Sequence, residues 1–130
     1  MNNVADSYRE EANQIILSSS AIEYFSYFRK SKYKHAAKLF EKAAAEYTAC
    51  DISYSAAESY YSAAYNFMLA DVYDKSAQCY ILAAKMYEPT EYNKSITAYL
   101  HAADIYELER RLDMCMKCYD TVAGIYFKNG

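Results

Sequence analysis

One helical row recurs about every twenty residues from Ala36 to Tyr126, and that period limits the chain to stacked helices. The five rows begin at Ala36, Ala56, Ser76, Ser95 and Cys115, at spacings of 20, 20, 19 and 20 residues. Each interval holds one helix of about four turns and a tight connection, so two rows make a helical hairpin of about forty residues. The fifth and twelfth positions of every row are aromatic: Phe40/Tyr47, Tyr60/Phe67, Tyr80/Tyr87, Tyr99/Tyr106 and Tyr119/Tyr126. The ninth is always alanine: Ala44, Ala64, Ala84, Ala103 and Ala123. A spacing of i, i+4 and i+7 sets these three on one stripe, where the small residue admits a neighbouring helix and the rings fill the flanking space. Burying one ring removes roughly 150 to 250 Å² from water, on the order of 4 to 6 kcal/mol as an upper bound. The ten rings are therefore expected to dominate the core, and the eight tyrosines among them to reach a hydrated edge with their hydroxyls.

Two glycines and one proline in 130 residues leave little room for strands or long loops. The pattern predicts one all-α domain over residues 1–130, a tetratricopeptide-like (TPR-like) right-handed solenoid of antiparallel helical hairpins with about six helices. These fall near residues 3–18, 34–49, 53–69, 73–87, 92–107 and 110–128. Residues 1–33 make the first helix and an aromatic-basic loop, and residues 34–128 the five repeat helices. Pro89 lies between the fourth and fifth, where it can start a helix without breaking one. With no polar capping helix after the last row, an exposed apolar end face is expected.

A formal charge of −3 gives no whole-chain case for nucleic-acid binding. The bases are unevenly spread: Arg29, Lys30, Lys32, Lys34, Lys38 and Lys42 fall within fourteen residues, whereas residues 43–130 carry seven bases against twelve acids. The start, Met-Asn-Asn-Val-Ala-Asp, has no basic segment followed by an apolar run. Neither a secretory signal nor a membrane span is read there, and a cytoplasmic location is expected.

Little in the chain points to catalysis. Cys115-Met-Lys-Cys118 is a lone C-x-x-C that cannot supply four metal ligands by itself. Cys115 occupies the row-start place of Ala36, Ala56, Ser76 and Ser95, and Cys118 that of Leu39, Ser59, Cys79 and Ala98, so both read as small packing residues. A redox or metal protein built on this pair is a third alternative. His35 and His101 belong to no metal or nucleophile motif, and no phosphate loop is present. No catalytic, cofactor or metal site is predicted, and the chain is not read as an enzyme.

The segment before the rows is different. Tyr24, Phe25, Tyr27 and Phe28 fall within five residues and are followed by Arg29, Lys30, Lys32 and Lys34. Rings of this kind enter a bilayer interface, and each adjacent base gains roughly 1 kcal/mol from anionic lipid. Because Ile22, Phe25 and Phe28 also share a helical spacing, the same rings can instead plug the first hairpin.

The rows Ala36-Ala-Lys-Leu-Phe-Glu-Lys-Ala-Ala and Ser55-Ala-Ala-Glu-Ser-Tyr-Tyr-Ser-Ala-Ala, the Ile105-Tyr106 pair repeated at Ile125-Tyr126, and the Glu88-Pro89-Thr90 break carry a resemblance. Together they resemble the N-terminal part of the soluble NSF-attachment proteins, the α/γ-SNAP family, across essentially the whole chain. The resemblance implies a non-enzymatic adaptor in vesicle fusion and intracellular transport, cytoplasmic and peripherally membrane-associated. Its implied partners are a SNARE complex (a syntaxin-type helical bundle), an anionic membrane surface and NSF. It implies membrane contact at Phe25 and Phe28, in the segment that matches the family's aromatic loop, with Tyr24, Tyr27, Arg29, Lys30 and Lys32 beside them. It also implies a grip on the acidic SNARE bundle by Arg111 and Lys117, which otherwise read as ordinary solvated charges. Another basic place of the family, in the turn after the second helix, is Asp51 here. Full members are roughly twice as long and hold their NSF-activating residues in a C-terminal bundle, so this chain is expected not to activate NSF alone. The alternative function is a generic TPR-like scaffold that binds a peptide in its groove or self-associates through its end.

Overall fold

The computed structural model describes residues 3–18 and 26–130, of Ser26 and Tyr27 the backbone alone. Six helices follow one another: α1 (Asn3–Leu17), α2 (Ser26–Ala49), α3 (Ser53–Leu69), α4 (Tyr73–Tyr87), α5 (Tyr92–Leu108) and α6 (Leu112–Asn129). There is no strand among the described residues. From α2 onward, turns of three or four residues fold each helix back on the last, and each helix packs on its neighbours in sequence, giving an all-α stack of hairpins.

The bounds of α3 and α4 coincide with the expected ones, and α1 and α5 differ by a residue. The second helix begins eight residues earlier than expected, at Ser26 rather than 34. Its row stripe starts only at Ala36, but residues 26–35 contain neither glycine nor proline, and a helix once nucleated extends through such a segment. The second half of the aromatic-basic segment is thus helical; residues 19–25 lie outside the described residues.

The row code is a contact code. The ninth-position alanines of the first four rows are wholly buried, and each fifth- and twelfth-position ring of those rows is buried except the half-buried Tyr60. The partner of the ninth position is the start of the next row. Ser76 Oγ donates to the Ala64 carbonyl at 2.6 Å, and Ser95 Oγ donates to the Ala84 carbonyl at 2.8 Å. A row start must be small because it meets a neighbouring backbone, which explains why Ala36, Ala56 and Cys115 occupy the same place.

The twelfth position also anchors the turn. The Ile52, Val72 and Arg111 N–H groups donate to the Tyr47, Phe67 and Tyr106 carbonyls at 2.9, 2.8 and 2.7 Å. The residues before them, Asp51, Asp71 and Arg110, take φ of 58°, 60° and 58°. These are Schellman terminations without glycine. Aspartate tolerates the left-handed region, whereas for Arg110 it costs on the order of 1 kcal/mol. That turn ends α5 and delays α6 to Leu112, two residues past the expected start.

The hydroxyls of Tyr47 and Tyr87 find protein partners as well as an edge. Tyr47 Oη donates to the Asp6 carboxylate and accepts from Arg9 Nη1 at 3.3 Å, and Tyr87 Oη donates to the Glu58 carboxylate. In the last row the rings differ: Tyr119 and Tyr126 are 42% and 57% exposed, and with Leu112, Met116 and Phe127 they give α6 an apolar outer face.

Candidate functional site

The first turns of α2 carry Phe28, Arg29, Lys30 and Lys32. Phe28 is half exposed and shares a helix stripe with Lys32 four residues on. Lys30 Nζ lies 2.6 Å from the Asp71 carboxylate in the α3–α4 turn. That hydrogen bond, with a second from Tyr73, holds the Asp71 carboxyl below its ordinary range. Lys32 Nζ donates to the Ser18 carbonyl at 2.7 Å and lies 5.8 Å from the Tyr33 ring centre, tying the end of α1 to α2. Both bases are engaged within the protein at partly exposed positions, and a solvent-accessible ion pair such as Lys30–Asp71 contributes only about 0 to 1 kcal/mol. Tyr24 and Phe25 lie outside the described residues, and of Tyr27 only the backbone is described. Among the described residues no helix is long and apolar enough to cross a membrane.

Arg111 sits just ahead of α6. Its Nη1 lies 2.7 Å from Asp74 Oδ1, and its guanidinium 5.3 Å from the Tyr106 ring centre. Lys117 is exposed on α6. Six residues of helix separate it from Arg111, which at 3.6 residues per turn is roughly 120° of rotation, so the two bases occupy different stripes. Asp51 is exposed in the α2–α3 turn.

Cys115 and Cys118 are buried at their row places in the core cluster that joins α5 and α6, and burial pushes both thiols up. The Cys79 thiol, buried and then beside the Glu41 carboxylate, is pushed up to about 12. Among the described residues no group of three or more His, Cys, Asp or Glu is placed to hold a metal.

A groove between α3 and α5 is the feature the row reading passed over. Tyr54, Glu58 and Tyr61 form one wall, Lys94, Thr97 and His101 the other, and Tyr80 and Tyr87 of α4 its floor. His101 stacks on Tyr80 with centroids 5.0 Å apart and meets the Tyr61 edge at 5.9 Å. The signal was available, because Tyr54, Glu58 and Tyr61 repeat at i, i+4 and i+7 on a stripe separate from Tyr60, Ala64 and Phe67.

Over residues 3–130 the chain matches the family model described as "Soluble NSF attachment protein, SNAP". No curated protein matches it.

Proposed function

This chain belongs to the soluble NSF attachment protein family, and from that membership we propose a non-enzymatic adaptor that joins a SNARE helical bundle to an anionic membrane surface in vesicle fusion. The family match over residues 3–130 carries the reading. The exposed Phe28 supports the membrane arm, entering the interface while Arg29 meets lipid phosphate and Lys30 and Lys32 exchange their contacts for it. The exposed guanidinium of Arg111 supports the SNARE arm, because an acidic bundle can replace Asp74 at little cost. Lys117 adds a second positive charge from its own stripe, and NSF is the further partner. The place of action is the cytoplasmic face of a membrane, bound peripherally.

The SNARE arm is tested by binding to an immobilised four-helix SNARE complex. The variant Arg111→Glu/Lys117→Glu should bind at least about tenfold more weakly, or ~1.4 kcal/mol, with an unchanged helical circular dichroism spectrum. Unchanged binding removes the two-residue grip, and absent binding by the wild type removes the adaptor.

The exposed apolar stripe of α6 favours a second reading, a scaffold that self-associates through Tyr119, Tyr126 and Phe127. A mass by light scattering that doubles with concentration, and stays monomeric in Tyr126→Glu, is its signature.

A further inference from the structure

The groove between α3 and α5 narrows to a cavity of about 300 Å³ lined by Glu58, Tyr61, Tyr87, Asn93, Lys94 and Thr97. Its chemistry favours a cation. The rings of Tyr54 and Tyr87 meet edge to face, with centroids 6.0 Å apart, and present π surface to the mouth. The Glu58 carboxylate accepts from Tyr87 Oη, and Glu58 and Glu91 both add negative field there. The molecule already places a cation at this mouth. Lys94 Nζ stands 4.8 Å from the Tyr54 ring centre and 5.6 Å from that of Tyr87, and donates to Tyr54 Oη at 2.6 Å.

That occupant is easily displaced. Among the described residues the partners of the exposed Lys94 side chain are a hydroxyl and two ring faces, with no ion pair to Glu58 within 4 Å. Swinging it into water costs little. Its departure leaves an aromatic wall, one carboxylate, and the acceptor oxygens of Asn93 and Thr97 on the opposite side.

Three acceptors spread over two walls discriminate between cations. A quaternary ammonium has no N–H to offer them, and an ammonium is a compact donor that serves one end of the site. A guanidinium has five N–H donors in a plane, stacks on tyrosine and pairs with a carboxylate through two parallel bonds. A cavity of this size holds one such side chain with its aliphatic stem against Tyr61.

We infer that this cavity binds the guanidinium of an arginine side chain on a partner polypeptide, with Lys94 as its displaceable internal occupant. Arginine enters as Lys94 leaves, so the net charge of the occupied mouth is unchanged in the cavity and one positive charge moves out to solvent. The site is separate from Arg111 and Lys117, and it stands whether or not those residues grip an acidic bundle.

The probe is Nα-acetyl-arginine methylamide titrated into the full chain, read from the tyrosine ring signals by NMR, with the citrulline analogue as a neutral isostere and phosphocholine as a quaternary-ammonium control. Saturable shifts are expected for the arginine probe, at least fivefold weaker binding by the other two, at least threefold tighter arginine binding in Lys94→Ala, and at least fivefold weaker binding in Glu58→Gln. Because Glu58→Gln also alters a hydrogen bond to Tyr87, Lys94→Ala is the deciding variant; it touches only an exposed side chain and should leave the circular dichroism spectrum unchanged. Equal binding of citrulline, preferential binding of phosphocholine, or no arginine binding in Lys94→Ala overturns the assignment.

Discussion

The fourth and fifth rows carry the same three-residue stripe and meet different surroundings. Tyr99, Ala103 and Tyr106 on α5 are buried, with α6 packed on their helix, while Tyr119, Ala123 and Tyr126 on α6 are exposed. Alanine at the ninth position is thus a requirement set by the next helix and not by the helix that carries it. The difference also separates packing from local propensity, since both helices are continuous and complete.

Substitutions at matched positions of α5 and α6 separate the packed stripe from the open one. The largest effect is expected at the twelfth position. Tyr106→Ala should cost about 3 to 5 kcal/mol in urea unfolding, whereas Tyr126→Ala should stay within about 1 kcal/mol. Next comes the ninth position, where Ala103→Leu forces extra volume against α6 and should cost about 1 to 3 kcal/mol. Its counterpart Ala123→Leu should remain within about 0.5 kcal/mol. Similar losses at both members of either pair would show that the exposed stripe is covered in solution.

Smaller effects go the other way. Ser59 is buried, and its hydroxyl is the one buried side-chain polar atom without a hydrogen-bond partner among the described residues. Ser59→Ala removes that cost and should raise stability by up to about 1 kcal/mol. Arg110→Gly relieves a left-handed residue in the α5–α6 turn and should gain about 0.5 to 1 kcal/mol, less the entropy glycine adds to the unfolded chain. A loss on glycine substitution would mean that the Arg110 side chain has a role the turn geometry does not require.

Thiol chemistry sharpens the same contrast between packed and open positions. Cys50 is exposed, whereas Cys79, Cys115 and Cys118 are buried. A disulfide exchange reagent at neutral pH should modify one thiol quickly and the other three at the rate of unfolding. Fast reaction of Cys115 and Cys118 would revive the redox reading of the C-x-x-C pair.

The rows were legible because each position of the stripe answers to its nearest neighbours in sequence order. Fifth-, ninth- and twelfth-position residues meet the adjoining helix, and the period alone places them. The early start of α2 was not legible because residues 26–35 show no row stripe and are helical by extension from the packed part. The tyrosine hydroxyls were only half legible, since the period puts them near an edge but does not say which carboxylate waits there. The same limit applies to Arg111 with Asp74, 37 residues apart, and Lys94 with Tyr54, 40 residues apart. These pairs join helices two apart in the stack, and their meeting depends on the rotation between successive hairpins, which the spacing of rows does not encode.

Action at a membrane on a SNARE bundle is what we propose for this family member. Co-sedimentation with anionic liposomes, with and without an embedded SNARE complex, is the deciding measurement, comparing the wild type with Phe25→Ser/Phe28→Ser. The expected result is lipid binding that the SNARE complex strengthens and the double substitution abolishes. Wild-type protein left in the supernatant under both conditions would contradict the claim and leave a helical scaffold for other partners.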